Sequence, residues 1–293
     1  MSTAERARAA LNAGDYHGAS AAALEGLAGT PDDVELLALA GRAGVELGRD
    51  DAVEQLERAT QLAPDDGDAW HHLGEAYATE GRMSEAGDAF RRAVELNPDD
   101  AVALTHLGHT SYAAGNDQEA VGLLAQAAES TRGASTAAIS LVDMYRTLGE
   151  FGEALVQARR IVEADPSDLT ALLDVAELSL ATGELDDARD AFTKLRERDD
   201  SYEAYPLYGV ILVELTADRL EQARALAGES APLDPEGSTL TEVQAFLDAE
   251  LSGPGEEPAP TRERVTETLQ GALARYRRLR AEDRRLGGDD LLG

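Results

Sequence analysis

Asp68-Ala69-Trp70-His71-His72-Leu73-Gly74-Glu75-Ala76-Tyr77, followed by Gly81, Ala86, Phe90, Ala93 and Pro98, decides the fold of this chain. Trp70, Leu73 and Tyr77 stand at i, i+3 and i+7, one stripe of a helix. Phe90 falls on the facing stripe of a second helix, so the four side chains fill a layer between two helices. Gly74, and Gly108 one period later, sit inside first helices, where only a small residue lets an antiparallel partner approach. Ala86 and Ala120 are expected opposite them. Trp70→Ala is expected to cost about 3–5 kcal/mol as a cavity. Pro-Asp-Asp recurs at 31–33, 64–66 and 98–100, with Pro166-Ser167-Asp168 as a variant. Each Pro stops one helix and each final Asp caps the next, where the helix dipole also favours negative charge.

The same skeleton repeats along the chain. The best copy spans 67–100, and weaker copies fill 1–237 as units of about 1–33, 34–66, 67–100, 101–134, 135–168, 169–201 and 202–237. The seventh fits only with two residues inserted in the turn around Thr216. Trp, Leu-Gly and Tyr on a first helix, Gly at the turn, Ala and a large apolar residue on a second, and a closing Pro together resemble the tetratricopeptide repeat. The resemblance implies an all-α, right-handed α-solenoid whose first helices line a concave groove holding a peptide or helix of another protein. Its register puts Arg42, Val45, His71, Glu75, Thr105, His109, Tyr112 and Ile139 in that groove, and further along Asp143, Arg146, Leu173, Glu177, Leu180, Val210 and Val213. The apolar rim of units five to seven is the expected docking surface for an amphipathic helix.

Beyond Gly237 a capping box, Thr239-x-x-Glu242, opens a partial eighth repeat or capping helix over 238–251. Residues 252–261 read as a Pro/Gly-rich linker, 262–286 as a basic amphipathic helix, and 287–293 as a mobile tail. The basic helix carries a stripe of Val265, Leu269, Ala272, Tyr276 and Leu279 that needs burial. Residues 261–293 hold 8 Arg against 6 acids, whereas residues 1–260 are strongly acidic. This helix is expected to fold back as a cap on the last repeat, or to swing into the groove and gate it.

Composition narrows the function. The 293 residues carry 57 Asp and Glu against 26 Lys and Arg, a formal charge of −31. That balance opposes binding to nucleic acid or anionic lipid, because phosphate contacts need Lys and Arg. With no Cys there are no disulfides and no thiolate chemistry. No apolar run reaches the roughly 18 residues of a membrane span, and none opens the chain as a signal peptide, so the expected location is cytoplasmic. A Gly-rich phosphate loop, a zinc-protease helix motif and a serine nucleophile elbow are all missing, so no catalysis and no cofactor are expected. The expected work is a non-catalytic scaffold or adaptor. The alternative is a metal- or pH-responsive regulator using His71, His72, His106 and His109, which cluster on two neighbouring helices.

Overall fold

The structure, a computed structural model, describes residues 1–130, 134–199, 204–230, 239–253 and 259–288, with side chains of the last helix through residue 281. The end of the seventh unit around Pro235 and Gly237, the middle of the 252–261 linker and the tail beyond residue 288 lie outside the described residues. The chain divides into two compact units, Met1–Leu141 and Val142–Leu292.

All regular structure among the described residues is helical. Unit 1 contains α1 (Thr3–Asn12), α2 (Tyr16–Leu27), α3 (Val34–Glu46), α4 (Ala52–Leu62), α5 (Gly67–Thr79), α6 (Met83–Leu96), α7 (Ala101–Ala113) and α8 (Asp117–Glu129). The boundary between units falls inside α9 (Ala134–Thr147). Unit 2 continues with α10 (Phe151–Ala164), α11 (Leu169–Thr182), α12 (Leu185–Arg198), α13 (Ala204–Thr216), α14 (Leu220–Ser230), α15 (Thr239–Ser252) and α16 (Arg262–Gly288). Along α1 to α8, and again along α10 to α16, each helix packs on its neighbours in the chain, the nearest-neighbour stacking of a repeat array.

Local chemistry sets these boundaries. Asp33, Asp66, Asp100 and Asp168 are N-caps, each accepting backbone N–H bonds from the first turn, such as Ala69 N–H to Asp66 at 3.1 Å. Gly14, Gly48, Gly81, Gly115, Gly149 and Gly183 all adopt φ between +62° and +82°, the left-handed conformation that closes a helix. After each, the next residue donates its N–H to a carbonyl five positions back, as Arg82 does to Tyr77 at 2.8 Å. In the seventh hairpin Asp218 (φ 57°) takes the glycine's place, and Arg219 N–H reaches Glu214 O at 2.8 Å. The turn thus keeps its ordinary geometry with nothing inserted, and it is α13 that lies two residues out of the expected register. Gly209 accordingly faces the Phe192 ring of the preceding α12.

The structure refines the packing around the helix glycines and changes the expectation for Trp70. A Cβ at Gly74 would lie 2.6 Å from the Phe90 ring, so the nearest group it makes room for is that large ring. Gly108 likewise lies against Leu124, although the Ala120 backbone carbonyl is also close. Trp70 is only half-buried, its indole N–H donating to Pro64 O at 3.1 Å, so its truncation opens no enclosed cavity. We expect Trp70→Ala to cost about 2 kcal/mol, below the range for a fully buried aromatic, read from the shift in urea midpoint.

Tyr77 donates its hydroxyl to Glu57 at 2.7 Å, and burial together with that carboxylate pushes the phenol up to about 12. An unfolded Tyr titrates near about 10. The contribution is therefore complete below that pH and is lost as pH rises through the folded value. Tyr77→Phe is expected to flatten the loss of stability over this alkaline window and to remove one late-titrating phenolate from the ultraviolet difference spectrum.

Candidate functional site

In unit 1 the first-helix face of α3, α5 and α7 borders a cavity of about 720 Å³. Arg42, Val45, His71, Glu75 and His109 line it, together with His72 and His106. Met83 of α6 and Val102 of α7 add an apolar rim, 46% and 48% exposed. The register missed both, because it counts first-helix positions on one stripe and these lie beside it. Thr105 does not reach the cavity: it is buried, its hydroxyl donating to Ala101 O at 2.6 Å in the helix's own turn. Tyr112 is exposed but is not part of the lining, and Ile139 is half-buried.

The imidazoles form one connected group. His72 Nδ1 lies 2.8 Å and His71 Nε2 3.4 Å from the two oxygens of Glu75. Burial alone would raise the Glu75 carboxyl, but hydrogen bonding and charge from the two histidines outweigh it and hold Glu75 well below the usual carboxylate range. His106 stacks on His71 with ring centroids 5.4 Å apart and meets the Phe90 ring edge-on at 5.0 Å. Its burial, and next its neighbour His71, lower its pKa and favour the neutral imidazole. His109 Nε2 sits 3.3 Å from Ser140 Oγ.

Unit 2 is arranged differently, because α16 lies on α13 and reaches α11. Leu173, Val210 and Val213, expected to face a groove, are buried, so none is open to a partner. In its own stripe Val265, Leu269, Leu273 and Tyr276 are buried, Leu273 taking the place expected of Ala272. Ala272 and Leu279 are only partly buried against the same core. The Tyr276 ring stacks on Tyr205 at 5.6 Å, and its hydroxyl donates to Asp199 at 2.5 Å. Arg277 donates to Asp174 at 2.6 Å and to Glu177, the two carboxylates that Arg146 also holds. Arg262 bonds Asp218 at 2.8 Å, and Arg264 pairs with Glu242. Opposite charge and an apolar stripe therefore both seat the basic helix on the acidic body. Glu177, Arg146 and Leu180 still line a smaller cavity of about 500 Å³, walled on one side by Gln270 and Leu273. Asp143 is exposed.

One model of the tetratricopeptide repeat matches residues 48–101 and 139–203, and a second such model matches 78–142. Between them they run from residue 48 to residue 203, more than half of the chain. No curated protein matches the chain in sequence. Among solved structures, the C-terminal part of a tetratricopeptide repeat-containing protein from Cytophaga hutchinsonii aligns with TM-score 0.68 and 16% identity, over 82% of this chain and 98% of that one. YrrB, described as a tetratricopeptide repeat protein with an unusual peptide-binding site, aligns with TM-score 0.54 and 18% identity, over 66% and 98%. PilF of Pseudomonas aeruginosa aligns with TM-score 0.51 and 19% identity, over 74% and 99%. At these identities the likeness is one of fold, an all-α solenoid. No helix among the described residues is long and apolar enough to cross a membrane.

Proposed function

Because the chain belongs to the tetratricopeptide repeat family, whose members are in general protein-interaction scaffolds, we propose that it is a non-catalytic adaptor that holds a peptide or helix of a partner protein on the first-helix face of unit 1. The observation that carries this reading is the cavity of about 720 Å³ with its apolar rim of Val45, Met83 and Val102 and its polar wall of histidines and Arg42. An amphipathic segment suits that surface: its apolar side covers the rim and its acidic or hydroxyl groups meet Arg42 and the imidazoles. YrrB, similar in fold, carries a peptide-binding site, which is in keeping with this use. In unit 2 the corresponding face is filled by α16, a helix of the chain itself, and we read it as a tethered occupant that gates that face.

The test is capture from the native lysate by the full chain beside a Met83→Asp/Val102→Asp variant. Both side chains are about half exposed, so the variant is expected to keep its melting profile within about 0.5 kcal/mol per site. Loss of the captured partner by at least tenfold is the expected result, and equal capture by both proteins overturns the assignment. Arg277→Glu tests the gate. It replaces attraction to Asp174 and Glu177 by repulsion, and faster amide hydrogen exchange over residues 273–281 is expected, with α13 following.

A further inference from the structure

We propose that His71, His72 and Glu75 form a three-ligand site for a divalent transition-metal ion, zinc foremost, in the wall of the unit 1 cavity. One ligand atom from each residue can be chosen so that all lie within 4.8 Å of one another on a single stretch of α5. A tetrahedral zinc ion with bonds of 2.0–2.1 Å needs its ligand atoms about 3.3 Å apart. His71 Nε2 lies 3.4 Å from one Glu75 oxygen and His72 Nδ1 2.8 Å from the other, and the ligand atoms of the set lie within 4.8 Å of one another, wider than that edge. An ion would draw the three ligand atoms together by rotation of their side chains about χ1 and χ2.

Spacing explains why one helix suffices. His71 and Glu75 are i, i+4, and His72 and Glu75 are i, i+3, so both imidazoles reach the carboxylate between them from adjacent turns. The donor set decides the kind of ion. Two imidazoles and one carboxylate favour zinc, nickel or copper, whereas magnesium and calcium want oxygen ligands throughout. The acidic residues scattered over the chain lack these nitrogens and bind divalent ions without such preference. The surroundings help as well. His71 is 8% exposed and backed by Phe90, with ring centroids 5.7 Å apart, and His106 stacks on its other side at 5.4 Å, so its ring is fixed. All three ligands line the cavity, which leaves the remaining coordination positions open to water. The site stands whether or not a peptide occupies the cavity.

Cobalt is the probe, because its visible absorption distinguishes tetrahedral from octahedral coordination. The full chain, stripped with chelator, is titrated with Co²⁺ in excess Mg²⁺ and then back-titrated with Zn²⁺. One tetrahedral ion per chain, displaced by zinc and untouched by magnesium, is the expected result. Loss of a hydrogen-bonding partner behind a ligand already costs 10–100-fold in metal affinity, so removing a ligand is expected to cost more than about 100-fold. His72→Ala and Glu75→Gln are the variants of choice because both residues are half-buried, leaving the His71–Phe90 packing in place. Asp88→Asn, on α6 and outside the cluster, is expected to bind as the unaltered chain does. An octahedral spectrum, displacement by magnesium, or undiminished binding in His72→Ala overturns the proposal. As a second readout, zinc is expected to raise the melting temperature of the unaltered chain and not that of His72→Ala.

Discussion

Tyr276→Ala lowers the stability of unit 2 by at least about 4 kcal/mol, the largest effect we expect from a single substitution. Two losses combine. The ring is fully buried and stacked on Tyr205, so its removal leaves a cavity worth about 3–5 kcal/mol. Its hydroxyl is the close donor to Asp199, a carboxylate only 3% exposed, with Arg280 further off at 3.6 Å. Stripping a donor from such a group costs about 1–3 kcal/mol. Tyr276→Phe isolates that second part, and urea unfolding followed by far-ultraviolet circular dichroism measures both variants. Trp70, the single tryptophan, lies in unit 1, so its fluorescence midpoint is expected to move less than the helical signal. Coincident, equally large shifts of the two signals would mean that the array unfolds as one cooperative block.

Phe90→Ala is the counterpart in unit 1, with an expected cost of about 3–5 kcal/mol. Phe90 is 1% exposed, seats its ring on Gly74, and supports both His71 and His106 at centroid distances of 5.7 and 5.0 Å. Here the Trp70 fluorescence midpoint is expected to carry the shift. Cobalt affinity falls with it, because His71 loses the surface that fixes its ring. Gly74→Ala approaches the same contact from the other side: a Cβ 2.6 Å from that ring forces it out of place, for about 1–3 kcal/mol. A Gly74→Ala protein as stable as the unaltered chain would contradict the packing described for this hairpin.

The parts of the fold that were legible are those governed by neighbours in the chain. The four Asp caps follow from Pro-x-Asp, and the turn glycines adopt positive φ where the repeat demands a left-handed residue. Asp218 escaped that reading because it performs the glycine's task without being glycine, which displaced the register of α13 and with it Val210 and Val213. The candidate site divides along the same line. Arg42, Val45, His71, Glu75 and His109 share a cavity because stacked repeats bring equal register positions side by side. Leu173 counts as a groove position by register yet is buried, as Thr105 is at the equivalent position of an earlier repeat, and α16 belongs to no repeat, so no periodicity tells that it reaches α11 and α13. Charge came nearest to doing so: an arginine-rich helix on an acidic body has few other places to bury its apolar stripe, and Asp174 and Glu177 supply the sites where Arg277 lands.

In the proposed function, unit 1 offers an open binding face while unit 2 keeps its own helix on the equivalent one. Site-specific photocrosslinking in the native cell tests it most directly, with the photoreactive residue at Val102 in unit 1 or at Leu180 beside α16 in unit 2. An adduct with a partner protein is expected from position 102, and only an intramolecular product, with α16, from position 180. A partner adduct from position 180 with none from position 102 would contradict it.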